Sequence, residues 1–181
     1  MNQNSADWTF NVAIVGATKT GKTALLKALM EQTFDSKYRQ TLGSEHGKII
    51  GTSQGETVCL SVSSLSGQSR LLPLTQQHLY NKHAVIVTYA INNVASFKQT
   101  QFWVNEASRS SPGCLIFLVG TCTDLVSNAS LRAVQGADAT MQAKAWNARH
   151  YSCSSAKNDN IGSFRSQIMQ QLLKYKGHKS K

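Results

Sequence analysis

The sequence predicts an α/β domain: a six-stranded, mostly parallel sheet with helices on both faces. Three observations predict it. Residues 84–91 form a near-continuous apolar run, the mark of a strand buried on both sides, and 10–15 and 114–119 read the same way. Between such runs lie segments with helical patterning, clearest where Ile161, Phe164, Ile168 and Leu172 recur at three- and four-residue steps. Strands that alternate with helices give a parallel sheet covered on both faces.

The elements follow in order. Val12, Ala13, Ile14 and Val15 stand in a row and make 10–15 a buried strand. Residues 24–30 read as a helix through Leu25, Leu26 and Leu29. Residues 31–46 are polar without a clean period, and loops of that length are usually functional or mobile. Strands at 48–52 and 57–63 flank a turn at Ser53-Gln54-Gly55-Glu56. Val58, Leu60 and Val62 alternate, so one face of the second strand is buried. Residues 64–73, around Gly67, are expected to be irregular. After the strand at 84–91, one helix is expected over 95–107, packing through Phe97, Phe102 and Trp103. Pro112-Gly113 makes a turn before the strand at 114–119. A helix at 137–148, a short strand at 151–153 and the closing helix complete the chain. The expected division is a polar extension at 1–9, one domain at 10–173 and a basic tail at 174–181.

The chain has 181 residues, enough for one domain with a full core. Its net charge of +10 suggests an anionic partner, whether nucleotide, nucleic acid or an acidic membrane surface, or a solvated basic face. No aromatic-basic stripe supports nucleic acid, which is the least favoured of these. Cys59, Cys114, Cys122 and Cys153 form no CxxC pair, so zinc and a disulfide framework are not expected, and reduced thiols in a cytosol are. No apolar run approaches the ~20 residues that span a bilayer.

One stretch carries chemistry by itself. Gly16-Ala17-Thr18-Lys19-Thr20-Gly21-Lys22-Thr23 fits GxxxxGK[ST], and it lies between a strand and a helix as the mechanism requires. A Gly-rich turn leading into a helix N-terminus aims backbone N–H groups at one point, where phosphate is accepted. Lys22 is expected at the β- and γ-phosphates and the Thr23 hydroxyl at Mg²⁺. Ligands in such sheets bind at the carboxyl ends of the strands. The loops after residues 15, 63, 119 and 153 should therefore converge.

From about residue 10 to residue 173 the sequence resembles the Rab-type small GTPases of the Ras superfamily, and so a P-loop NTPase fold. Six stretches carry the resemblance in order: the phosphate loop; Tyr38-Arg39-Gln40-Thr41-Leu42-Gly43; Ser66-Gly67-Gln68-Ser69-Arg70; Val87-Thr88-Tyr89-Ala90-Ile91 with Ser96-Phe97 and Trp103; Leu118 to Leu125; and Ser155-Ala156-Lys157. The resemblance implies a GTP/GDP site made by Gly16, Thr18, Lys19, Thr20, Gly21, Lys22, Thr23 and Ala24 with Phe34, Thr41, Gly67, Asp124, Ser155, Ala156 and Lys157. It implies Mg²⁺ held by Thr23 and Thr41, and Gln68 as the catalytic residue orienting the attacking water. Phe34 would pack edge-on to guanine. Asp124 would accept two guanine N–H groups in a pair that adenine cannot make, and Ala156 N–H would meet guanine O6.

The departures are as informative. The acidic residue that opens the family's second switch is Ser64 here, a poorer partner for a dication. The family's Asn-Lys before the guanine-reading Asp are Thr121-Cys122, which removes the Asn that ties this loop to the phosphate loop. Lys19 replaces a glycine and needs room. The family's effector-binding aromatic triad falls on His46, Ser63 and His78, a polar surface that should bind ordinary effectors poorly. The last eight residues hold Lys174, Lys176, Lys179 and Lys181 and no prenylatable cysteine, which suits transient contact with an anionic membrane. The reading implied is a slow GTPase switch in membrane trafficking, or a mimic of one, cytoplasmic or peripheral to membranes, with an exchange factor, a GAP and effectors as partners. The alternative is a pseudo-GTPase, an interaction module that has lost nucleotide cycling. Cys122 and Cys153 fall in the two loops that flank the guanine in the family fold; two unrelated thiols are the favoured expectation, and a disulfide under oxidation is the lesser alternative.

Overall fold

The computed structural model describes residues 6–37, 41, 43–68, 71–126 and 132–179. Six strands form one sheet: β1 (Trp8–Gly16), β2 (Ser44–Ser53), β3 (Glu56–Leu65), β4 (Ala84–Ala90), β5 (Leu115–Thr121) and β6 (Arg149–Ser152). Their order is β2-β3-β1-β4-β5-β6. Only the β2–β3 pair is antiparallel. That hairpin turns through Gln54 (φ 54°) and Gly55 (φ 84°), the two left-handed residues that match the twist of paired strands. The mostly parallel, six-stranded expectation is met.

The helices are α1 (Lys22–Leu29), α2 (Leu72–Leu79), α3 (Val94–Lys98), α4 (Thr100–Ser110), α5 (Gly136–Ala145) and α6 (Ile161–Lys179). The two-residue period of β1 divides them. Phe10, Val12 and Ile14 point to one face and pack with Leu25, Leu26 and Leu29 of α1 and with Phe164, Ile168 and Leu172 of α6. Ala13 and Val15 point to the other face and meet Leu79 of α2, Trp103, Val104 and Ala107 of α4, and Ala139 and Ala143 of α5. Burying a residue such as Leu26 or Phe164 stabilises by about 1.5–3 kcal/mol, so the two cores together hold the sheet against its entropy.

Several expectations are corrected. The helix expected over 95–107 is two, α3 and α4, parted at Gln99. Gln99 keeps helical dihedrals (φ −73°, ψ −12°), and the Thr100 hydroxyl takes the Phe97 carbonyl at 2.6 Å. Phe102, expected in the core, is 41% exposed, and Trp103 beside it is buried. Residues 64–73 are not irregular throughout: Ser64 and Leu65 complete β3, and α2 begins at Leu72 with Pro73 in its first turn. The sequence reading missed α2. β2 starts four residues earlier than expected, at Ser44. Residues 174–179 of the expected tail continue α6.

Candidate functional site

The loops at the carboxyl ends of β1, β3, β5 and β6 converge on one cleft of about 780 Å³. Of the residues expected there, Thr18, Lys19, Gly21, Lys22, Thr23, Ala24, Phe34, Thr41, Gly67, Gln68, Asp124, Ser155 and Ala156 line it. Gly16, Thr20 and Lys157 do not. The Thr20 side chain turns inward: its hydroxyl lies 2.9 Å from the Ala17 carbonyl and 2.7 Å from the Thr88 hydroxyl, which itself donates to the Val15 carbonyl. This buried chain braces the phosphate loop from β4, and Thr88 went unnoticed as a brace in the sequence. Gly16 sits at φ 146°, where a Cβ would run into Thr88, so only glycine fits. Lys157 is exposed at the rim.

Lys22 is buried, and its ammonium donates to the Ala17 carbonyl at 2.6 Å. Burial lowers its pKa from 10.5 to about 8. A lysine held in this state is uncompensated in charge, and an arriving phosphate would restore its full protonation. Lys19 is exposed, so its side chain has the room it needs. The departure from glycine falls on the backbone, held at φ 62°.

The Thr23 and Thr41 hydroxyls lie 2.9 Å apart. Near the end of β3, Ser64 is fully buried, and its hydroxyl has no hydrogen-bond partner among the described residues. Buried hydroxyls without partners are unusual, and an unseen water or ion is one explanation. The two converging hydroxyls fit ligands of a Mg²⁺, and the carboxylates lining the same cleft are Asp35, Glu45 and Asp124. Gly67 packs so tightly on Gly16, Ala17 and Thr18 that a Cβ would meet their backbone. The Ser66 N–H donates to the Gly43 carbonyl at 2.9 Å, joining the two switch stretches. Tyr38, Arg39, Gln40, Leu42, Ser69 and Arg70 of those stretches lie outside the described residues.

At the other end of the cleft, the loss of the family Asn proves to be repaired. The Thr121 hydroxyl lies 2.9 Å from the Thr20 carbonyl and 3.0 Å from the Tyr89 carbonyl, sharing its proton between them. The tie between this loop and the phosphate loop, expected to be absent, is thus present in a shorter side chain. Ser154, which the sequence reading also passed over, is fully buried; its hydroxyl donates to Asp124 Oδ1 at 2.6 Å and accepts from the Lys157 N–H. Asp124 is fixed with its second oxygen unassigned by that bond. Cys122 lines the cleft at φ 62° in place of the family lysine. Burial raises its thiol pKa, the hydrogen-bonding environment at Thr121 opposes this, and the neighbouring Asp124 charge adds to the rise. Cys153 is buried, pushed up to about 12 chiefly by burial, and both cysteines are free thiols. Phe34 is 42% exposed at the rim.

The three effector-triad positions come together where β2 and β3 meet α2. His46 Nδ1 lies 3.0 Å from the Ser63 hydroxyl and its Nε2 2.8 Å from the Ser44 hydroxyl. The His46 and His78 rings are 6.1 Å apart. The face is polar and internally hydrogen-bonded. Among the described residues, no helix is long and apolar enough to cross a membrane.

Comparison with known proteins agrees with this geometry. A family model described as the Ras family matches residues 11–174. The chain is 29% identical over 138 residues to the Ras-related protein RabC of Dictyostelium discoideum, covering 75% of this chain and 70% of that protein. It is 27% identical over 159 residues to human Ras-related protein Rab-36, covering 87% of this chain and 59% of the relative, and 28% identical over 155 residues to human Rab-34, covering 84% and 60%. The chain thus spans about three fifths to seven tenths of the length of these relatives. A matched stretch that takes in both halves of the cleft, from the phosphate loop to α6, is what assigns it: the chain belongs to the Ras family and is a Rab-like small GTPase.

Proposed function

We propose that the chain binds GTP and GDP with Mg²⁺ in this cleft and hydrolyses GTP slowly as a molecular switch. The observation that carries the reading is the arrangement along the cleft: a charge-starved Lys22 at one end, the Thr23–Thr41 hydroxyl pair beside it, and an oriented Asp124 at the other end. Lys22 and the phosphate-loop N–H groups would hold the phosphates. Asp124 and the Ala156 N–H would read guanine, and Gln68 would orient the water. Mg²⁺, held by Thr23 and Thr41, would supply charge neutralisation at the phosphates. Unaided members of this class turn over at roughly 10⁻⁴ s⁻¹ and rely on a GAP. The output would be the ordering of residues 34–43 and 64–73 by the γ-phosphate. Its setting would be membrane trafficking, or mimicry of it, through an exchange factor, a GAP and effectors. The functional unit would be residues 10–173. Residues 174–181, basic and helical as far as Lys179, would allow passing contact with an anionic membrane from the cytoplasm.

A second reading is favoured by one observation. The position of the family's acidic residue is Ser64 here, which would bring no charge to a Mg²⁺ and suits a pseudo-GTPase that keeps the fold and binds partners without cycling. Displacement of labelled GDP by unlabelled GTP and ATP tests the main reading: GTP should compete and ATP should not. Equal displacement by ATP would end it. Single-turnover incubation with bound GTP then separates the two readings, since a cycling protein yields GDP within a day and a pseudo-GTPase yields none.

A further inference from the structure

The two loops at the Asp124 end of the cleft rest on one buried side chain. Tyr89 of β4 is fully buried, and a Cβ on Gly120 would stand 2.8 Å from its hydroxyl, so the ring lies against β5 one residue before Thr121. Phe97 meets the same ring edge-on, with 4.9 Å between centres. The Tyr89 carbonyl accepts from the Thr121 hydroxyl at 3.0 Å. The Cys153 N–H, one residue before Ser154, donates to the Gly120 carbonyl at 2.9 Å. Both loops are thus tied to the backbone that Tyr89 supports.

Tyr89 is held in turn by His150 of β6. Its hydroxyl lies 2.9 Å from His150 Nε2, and His150 Nδ1 lies 3.0 Å from the Thr140 hydroxyl on α5. The direction of each bond follows from the far end. The Thr140 hydroxyl gives its one proton to the Gly136 carbonyl at 2.8 Å, so towards His150 it can only accept. The neutral ring therefore carries its proton on Nδ1, and Nε2 accepts from Tyr89. That bond is the hydroxyl's one hydrogen bond among the described residues.

A second proton on His150 would reverse it. The ring would then donate to Tyr89, and the phenolic proton would be left in a fully buried place without an acceptor, a costly state. The surroundings do not compensate the added charge. No carboxylate pairs with His150 among the described residues. Asp138 and Lys144 of α5 are exposed, and Arg149, next along β6, alternates to the opposite face. Burial first, and then the Arg132 guanidinium ahead of α5, hold the His150 pKa below the ordinary 6.5.

We propose that His150 is a proton-sensitive positioning residue for the Asp124 end of the cleft: its neutral ring holds Tyr89, Tyr89 holds the loops of Thr121 and Ser154, and protonation of the ring hastens nucleotide release. The inference rests on the guanine-nucleotide reading above and adds a control to it.

The test follows GDP release from the full chain between about pH 7.5 and 5.5, with the His150 ring resonances recorded over the same range. Wild-type release should quicken about fivefold as the pH falls, the worth of one hydrogen bond, in step with the ring titration. Tyr89→Phe, which removes the reversed bond, should release at the fast rate at both ends of the range. His150→Gln, whose amide oxygen can accept from Tyr89 and does not titrate, should release slowly at both. A wild-type rate that stays flat would overturn the proposal. So would the same acid acceleration in wild type and His150→Gln, which would assign it to another group. Absence of GDP binding at about pH 7.5 would overturn the nucleotide reading itself, whereas pH-blind release of bound GDP would overturn this inference alone.

Discussion

The two ends of the cleft depart from the family in opposite ways. At the base end, Thr121 and Cys122 both differ from the family pattern, yet the tie to the phosphate loop is made by the Thr121 hydroxyl itself, and Asp124 is held in place. Thr121 reaches the Thr20 carbonyl, and Ser154 holds Asp124. Towards the phosphate-loop end, the family's single acidic residue is Ser64 here, and its hydroxyl stands buried without a partner among the described residues. Hydrogen-bonding capacity moves readily between residues, because many side chains carry an oxygen or a donor at the right reach. Charge does not. A neutral hydroxyl can accept from a metal-bound water, but charge-assisted bonds are roughly twice as strong.

Breaking the base end should have the largest effect. Asp124→Asn removes the carboxylate that would pair with two guanine donors, and GDP affinity should fall by roughly 10³-fold or more, given how strongly polar sites reject a mismatched partner. Xanthine nucleotides, whose extra carbonyl suits an amide, should gain. Unchanged GDP and XDP affinities would mean that Asp124 faces no base.

The next effect sharpens the claim of repair. Thr121→Val would leave the Thr20 and Tyr89 carbonyls short of a donor, at about 2 kcal/mol. GDP release should quicken roughly thirtyfold, whereas Thr121→Ser should stay near wild type. Equal rates for the valine and serine variants would deny the hydroxyl its tethering role.

At the metal end, Ser64→Asp should restore what hydrogen bonding alone does not. The missing charge amounts to about 1–2 kcal/mol of Mg²⁺ binding, or roughly tenfold. GDP release from wild type should be fast and weakly sensitive to EDTA. The aspartate variant should release about tenfold more slowly, with strong EDTA sensitivity. Coincident release curves at graded Mg²⁺ would show that residue 64 does not adjoin the metal.

The smallest effect follows from Lys22. Its ligand-free pKa is depressed to about 8 by burial, so below that pH the amine already carries the proton that phosphate wants. Above it, binding must take up a proton, and affinity falls as pH rises. Between pH 7 and 8.5 the loss should be about fourfold. The same depression means that the ligand-free fold gains stability as pH rises from about 8 towards 10.5, since the unfolded lysine binds the proton more tightly there. A GDP affinity flat to pH 9 would show that Lys22 is not the phosphate's partner.

Much of this was written in local pattern. The strands at 10–15, 84–91 and 114–119 and the stripe on α6 were legible because burial on a fixed period leaves a periodic trace in the residues themselves. The phosphate loop was legible because its chemistry needs glycine, lysine and a hydroxyl at fixed spacing. Helix α2 was not, because Leu72-Pro73-Leu74-Thr75-Gln76-Gln77-His78-Leu79 is polar and irregular and buries only one side against α4 and β3. Phe102 and Trp103 show the same limit: their order along α4 does not say which of two neighbouring aromatics faces the core.

What the sequence by itself determined is the kind of fold, the strand–loop–helix that gathers N–H groups at Lys22 and Thr23, and the places where the family pattern is broken. The tertiary structure alone decided whether each break is made good. Thr121 and Thr20 are 101 residues apart, and Ser154 and Asp124 are 30 apart. No local pattern records that their oxygens meet, because a hydrogen bond depends on about 3 Å of separation in space and not on separation along the chain. Ser64 was equally visible as a departure, but only packing showed that nothing nearby takes over its hydrogen bond.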